Sequence, residues 1–248
     1  NKTAGTTLEL GLSQFCNSQD VIGTIYPKDE NVRKELGFKG PQNYRKKGKI
    51  INKGFFLGPL AFLIDKFGFS KQFNLITKPR FYNKFFKEDI MFQEHCSISH
   101  IQKKIDKKNF NNFFKFTIVR NPYNQIVSLY NWDLYRNNVG KNLSFKEFIE
   151  NYAGWFFIKE KNLLLDLEKK LNFDLVIKYE NLDGDLENLT NIIDLKKLKP
   201  VLSKFRLKKI VANPKIFLDI KSIKIINKHA EFFFENFGYK KTNKKFFI

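Results

Sequence analysis

Phe116-Thr117-Ile118-Val119-Arg120-Asn121-Pro122-Tyr123-Asn124-Gln125-Ile126-Val127-Ser128-Leu129-Tyr130 joins a strand, an arginine and a capped helix without a break. Its first four residues are apolar or β-branched, the composition of a strand buried in a parallel sheet. Asn121 is a good N-cap. Pro122 then takes the first helical position, where a missing N–H costs nothing because that group has no partner inside the helix. The helix is predicted to run to about Asn138. Arg120 therefore stands at the carboxyl end of a strand and beside a helix N-terminus. Ligands of open α/β sheets collect at that rim, where unpaired helix N–H groups favour anions.

Working outward, the 248 residues suit one filled α/β domain, and no Pro/Gly/Ser-rich linker divides them. The net charge is +20, yet only six of the 45 basic residues are arginine. Lysines are spread along a chain rich in Asn, Ile and Phe, as coding in an AT-rich genome would leave it. A nucleic-acid groove would instead interleave arginine with aromatic residues, so nucleic acid is not an expected partner. Attraction for acidic substrates or anionic cofactors stays open as a second reading of the charge. Cys16 and Cys96 make no disulfide framework and no C-x-x-C pair, and no spacing implies a metal. The most apolar stretch, Phe55 to Ile64, is too short to span a membrane and contains Gly58 and Pro59.

Residues 3–16 are predicted as a helix with Leu8, Leu10, Leu12 and Phe15 mostly on one side. Residues 20–90 carry loops, short helices and the basic cluster Arg45-Lys46-Lys47. A helix is predicted from Ser97, its cap, to Asp106, with Ile98, Ile101 and Ile105 at helical spacing. Ser144 and Glu147 form a capping box opening another helix, and Leu163 to Leu171 continues helical. Asp174 to Tyr179 reads as a second buried strand, followed by a helix near Asp185 to Ile193. A last helix is predicted from Ile216 to Phe237, closed by Gly238. The Lys-rich end, Lys240, Lys241, Lys244 and Lys245, reads as a solvated tail. Strands separated by helices imply a parallel sheet covered on both faces.

At the start of the chain, Asn1-Lys2-Thr3-Ala4-Gly5-Thr6-Thr7 forms a loop entering a helix. Gly5 allows close backbone approach, Thr6 and Thr7 offer hydroxyls, and successive N–H groups make a nest for phosphate. This loop resembles the phosphosulfate-binding loop of sulfotransferases that use 3′-phosphoadenosine 5′-phosphosulfate (PAPS). Arg120-Asn121-Pro122-Tyr123 with Ser128 resembles the 3′-phosphate motif of the same superfamily. Glu94-His95-Cys96-Ser97 resembles the histidine segment of its carbohydrate branch. Asn131-Trp132, Ser144 to Phe148, Ile177 to Leu182 and Phe237-Gly238-Tyr239 are similar to that branch too. The matches fall in family order from Lys2 to Tyr239.

The resemblance implies a three-layer, P-loop-like α/β fold with a central parallel sheet, formed by residues 1–248 as a single domain. The hydrophobic strand that precedes the loop in the family is not in this sequence, so an N-terminally truncated domain is expected. The implied activity is transfer of a sulfuryl group from PAPS to a hydroxyl of a carbohydrate or glycan, with no metal. Lys2, Thr3, Ala4, Gly5, Thr6 and Thr7 would hold the 5′ end of the donor, with Lys2 neutralising the leaving oxygen. Arg120 and Ser128 would hold the 3′-phosphate, and Lys215 would add a contact from a loop over the nucleotide. His95 is the implied base, since imidazole titrates near neutrality, and Glu94 is the alternative. Where the family has Asp-Arg after the motif, this chain has Asn124-Gln125, so one charged contact near the donor is expected to be missing. Tyr130 and Trp132 either stack on adenine or fill the core. His100 and His229 are read as structural and surface residues. Bacterial relatives are cytosolic and eukaryotic ones sit in the Golgi lumen behind an anchor, which here would lie upstream. Oligomeric state leaves no sequence signal.

Two other readings compete. A P-loop kinase needs G-x-x-x-x-G-K-[ST] and an acidic magnesium ligand, and the chain has no such glycine–lysine pattern. A degenerate homologue that binds the donor without transferring it is the nearer rival.

Overall fold

The computed structural model describes residues 5–45, 90–92, 95–135, 143–192 and 215–248. Helix α1 spans Gly5–Ser13, α2 Pro27–Glu35, α3 Ile98–Lys104 and α4 Lys107–Asn112, ahead of strand β1 at Phe116–Val119. Then come α5 (Pro122–Tyr135), α6 (Phe145–Leu164), β2 (Leu175–Lys178), a 3-10 turn at Tyr179–Asn181 and α7 (Leu182–Ile192). The chain closes with β3 (Phe217–Leu218), α8 (Ile220–His229), α9 (Glu231–Phe237) and β4 (Phe246–Phe247).

β1 and β2 pair in parallel, Phe116 opposite Leu175 and Val119 opposite Lys178. Strand alternation then sorts the side chains by face. Phe116, Ile118, Leu175 and Ile177 pack with Leu8 and Leu12 of α1 and Leu186 and Leu189 of α7. Val119 and Val176 face the larger core, built from α5, α6, α8 and α9 around Ile126, Phe156, Phe157 and Phe233. Helices thus cover both faces of a small parallel sheet, which among the described residues has two strands. This architecture is compatible with the α/β class expected from the sequence.

Local signals act where the sequence placed them. The Asn121 side chain accepts from the Tyr123 amide at 3.0 Å, capping α5 as expected. Ser144 and Glu147 exchange both bonds of the capping box at the start of α6. Hydrogen bonds donated to the Glu147 carboxyl by the Ser144 hydroxyl and then by the Ser144 amide hold it below its ordinary range. Ser97 caps α3 by accepting from the His100 amide at 3.1 Å. Gly238 ends α9 in the left-handed region at φ 66, a conformation that costs an L-residue about 1–2 kcal/mol. Gly238→Ala is accordingly expected to lower unfolding free energy by roughly that amount in a urea titration.

Two expectations are corrected. Leu163 to Leu171 does not continue helical: α6 ends at Leu164, and Leu165 bridges Leu171 across a turn. Asp166 makes that turn by accepting from the amides of Glu168 and Lys170, both at 2.9 Å, while Lys169 adopts φ 61. The predicted helix from Ile216 to Phe237 is a strand and two helices. Asp219 caps α8 through the Ser222 amide, and Ala230 at φ −95, ψ 12 separates α8 from α9. The lysines of the Lys-rich end are exposed, as expected of a solvated end, and its backbone is tied to the fold. Ile216 and Ile248 exchange backbone hydrogen bonds of 2.9 and 3.0 Å, and the Thr242 amide donates to the Tyr123 hydroxyl at 2.9 Å.

In the stretch the sequence left least legible, α2 is tied down by a buried arginine. Arg33, 1% exposed, reaches Glu30 at 3.1 Å and Glu9 of α1 at 3.6 Å. Residues 46–89, within which the short apolar runs fall, lie outside the described residues.

Candidate active site

The carboxyl ends of β1 and β2 deliver Arg120 and Tyr179 side by side, since the register already sets Val119 against Lys178. The Arg120 guanidinium carbon lies 4.3 Å from the centre of the Tyr179 ring, a cation–π contact that orients the planar group. Burial lowers the Arg120 pKa from its ordinary value, with Tyr179, Glu180 and Tyr239 opposing the shift. The guanidinium keeps its charge at any physiological pH.

Glu180 bridges two other segments at the same rim. One of its oxygens accepts from the Asn121 amide at 2.8 Å and the other from the Tyr239 hydroxyl at 2.9 Å. Burial, and then the bond and charge of Glu180, push the Tyr239 phenol well above its ordinary range. Lys178 places its ammonium 5.3 Å from the centre of the Tyr239 ring. The Lys178 amide donates to Asp185 at 2.7 Å, which also receives the Asn181 side chain at 2.8 Å. Two cations, Tyr179 and a carboxylate are therefore carried at or directly after strand ends, and Tyr239 joins them from the end of α9.

Ser128 is half-buried on α5, about 9 Å along the axis from Pro122. It shares a partly exposed face with Asn124, while Tyr123, Ile126 and Val127 enter the core. Tyr130 belongs to the core as well, against Phe145 and Phe148, so of its two expected roles the structure selects packing. Trp132 stacks on Tyr135 at 5.7 Å. Gln125 is buried and donates to the buried Glu160 at 3.1 Å.

A cavity of about 450 Å³ runs along β1 and is lined by Gly5, His95, Cys96, Val119, Gln125 and Glu160 among others. It brings the N-terminus of α1, the histidine segment and the last residue of β1 to one space. No atom of the described residues lies within 4 Å of where a Cβ on Gly5 would stand, which suits a close approach of ligand to backbone. Thr6 and Thr7 are half-buried in the first turn of α1. His95 is exposed at the cavity wall with φ 58, one of three non-glycine residues in the left-handed region among those described. His100 instead bonds the Met91 carbonyl at 2.8 Å, in keeping with a structural role. Lys215 is exposed one residue ahead of Ile216, at the base of β3. Lys2, Thr3, Ala4 and Glu94 lie outside the described residues.

Sequence reasoning passed over Glu180, Tyr179 and Tyr239 as working residues. Lys178-Tyr179-Glu180 was visible at a strand end and Phe237-Gly238-Tyr239 at a helix end, but nothing in the sequence said that the two meet.

A family model described as "Sulfotransferase family" matches residues 54–243, well over half of the chain. The protein belongs to the sulfotransferase family. It is thus an enzyme of sulfuryl transfer. The match takes in His95, Arg120, Ser128, Glu180 and Tyr239, and begins after the loop at residues 2–7 and α1 of this sulfotransferase. No curated protein and no solved structure matches it.

Proposed function

We propose that this sulfotransferase moves a sulfuryl group from PAPS to a hydroxyl of a carbohydrate or glycan, within a P-loop-like α/β scaffold. The observation that carries the reading is Arg120, half-buried at the end of β1 beside the capped start of α5 and oriented by Tyr179. The donor bears anionic groups at its 3′ and 5′ positions, so it needs two anion sites a nucleoside apart. Arg120, with Ser128, fits the first, because a planar guanidinium gives a phosphate two parallel hydrogen bonds. The open backbone at Gly5, with Thr6 and Thr7 behind it, fits the second, joined by Lys2, Thr3 and Ala4 ahead of α1. Lys215 is a further contact in this reading.

The donor supplies an activated sulfuryl group. In the transfer, a bond forms between the acceptor oxygen and sulfur as the bond from sulfur to the bridging phosphate oxygen breaks. Adenosine 3′,5′-bisphosphate leaves, and His95 takes the acceptor proton. The displacement is loose and in line, like phosphoryl transfer, so the protein contributes chiefly position and charge. Lys2 is assigned to the charge that grows on the leaving oxygen.

The test is a calorimetric titration with adenosine 3′,5′-bisphosphate against adenosine 5′-phosphate and ATP. The bisphosphate is expected to bind selectively. Arg120→Ala should weaken it by about 10–100-fold, the worth of a charged hydrogen-bonding group, and leave the 5′-phosphate unaffected. An equal response to ATP, or a preference that survives Arg120→Ala, overturns the assignment. Selective binding with no transfer to any acceptor would mark a homologue that has kept the donor site alone.

A further inference from the structure

We infer that Glu180 and Tyr239 are positioning residues for Arg120, a frame by which the last helix of the chain sets the strength of the anion site. The inference rests on the reading that Arg120 takes the 3′-phosphate. Its basis is a single carboxylate that ties three segments distant in sequence. The Asn121 amide that donates to Glu180 belongs to the residue directly after Arg120 and is itself the cap of α5. Glu180 therefore holds the backbone on which the Arg120 side chain turns. Tyr239, which donates to the other oxygen of Glu180, follows Gly238, the left-handed residue that ends α9. Tyr179, adjacent to Glu180, supplies the ring under the guanidinium.

Each of the two Glu180 oxygens thus has a neutral donor. That arrangement fixes the carboxylate beside Arg120 while engaging it elsewhere. Its charge favours the protonated guanidinium, while its own two hydrogen bonds go to Asn121 and Tyr239. A long cationic side chain loses rotamer freedom when it binds an anion. Holding it beforehand removes part of that cost, which is how preorganisation raises affinity. Without the Tyr239 hydroxyl, Glu180 would lose one of its two anchors and the Asn121 backbone would loosen with it.

The experiment compares Tyr239→Phe and Glu180→Gln with the unmodified full chain and with Arg120→Ala. The readout is the ratio of affinities for adenosine 3′,5′-bisphosphate and adenosine 5′-phosphate. Tyr239→Phe keeps the ring beside Lys178 and removes only the hydroxyl, so it is the milder change. Both variants should lower the ratio by about three- to tenfold with 5′-phosphate affinity unchanged. Tyr239→Phe added to Arg120→Ala should change the ratio no further, since the frame acts through the arginine. A merely structural role would lower the melting midpoint and weaken both nucleotides in proportion. An unchanged ratio in both variants, while Arg120→Ala still abolishes the preference, overturns this inference alone. No preference in the unmodified chain overturns the 3′-phosphate reading and the inference together.

Discussion

Replacing His95 by asparagine is expected to lower turnover by about 10²–10⁴-fold, the usual worth of a positioned general base. Bisphosphate affinity should change little, because the bisphosphate carries no acceptor hydroxyl for His95 to deprotonate and its 3′-phosphate is assigned to Arg120, which lies over Tyr179. The choice of substitution follows from the backbone. His95 sits at φ 58, a region where asparagine and histidine are both enriched and where alanine would add strain. Asparagine therefore preserves the turn while removing the imidazole assigned to take the acceptor proton. The measurement is steady-state transfer from PAPS to a panel of glycan hydroxyls, with nucleotide binding followed in parallel. Turnover within threefold of the unmodified enzyme would move the base to Glu94 or to another group.

Phe157→Ala is expected to cost about 3–5 kcal/mol of stability, the range for emptying a buried aromatic site. Phe157 is 1% exposed and lies between Phe156 at 5.1 Å and Phe233 of α9 at 5.7 Å. Its helix, α6, packs against α8 and α5 in the larger core. The void left by a phenyl ring there cannot be filled from solvent, and neighbours on three helices would have to shift to close it. Urea unfolding should show a lower midpoint with an unchanged slope. A loss below about 1 kcal/mol would mean that the site collapses freely around the smaller residue.

Much of the fold could be read before any coordinates. β1, the Asn121 cap, the Ser144–Glu147 box and the left-handed Gly238 were all legible, because each depends on residues within four positions of one another. The break between α8 and α9 was not. Ala230 still donates its amide to the Ile226 carbonyl, so the apolar period runs on through the change of direction. Phe217 and Leu218 suit either a helix start or a strand. They became a strand because Phe246 and Phe247 return to pair with them. The Leu165–Leu171 bridge was hidden in the same way, with leucines at helical spacing overruled by the Asp166 turn.

The candidate site divides along a similar line. His95 and Ser128 stood out only through the family resemblance, whereas Arg120 and the loop at residues 2–7 could be singled out from residue type and spacing, and so could the class of ligand that an arginine at a strand end invites. Which groups hold that arginine could not. Glu180 meets Asn121 and Tyr239 across 59 residues in each direction, contacts chosen by the pairing of β1 with β2 and by the turn at Gly238. Capping and alternation are short-range and belong to the sequence itself; the partners of a carboxylate at a sheet edge are set by strand register and by where the last helix stops, and those exist only once the chain has folded.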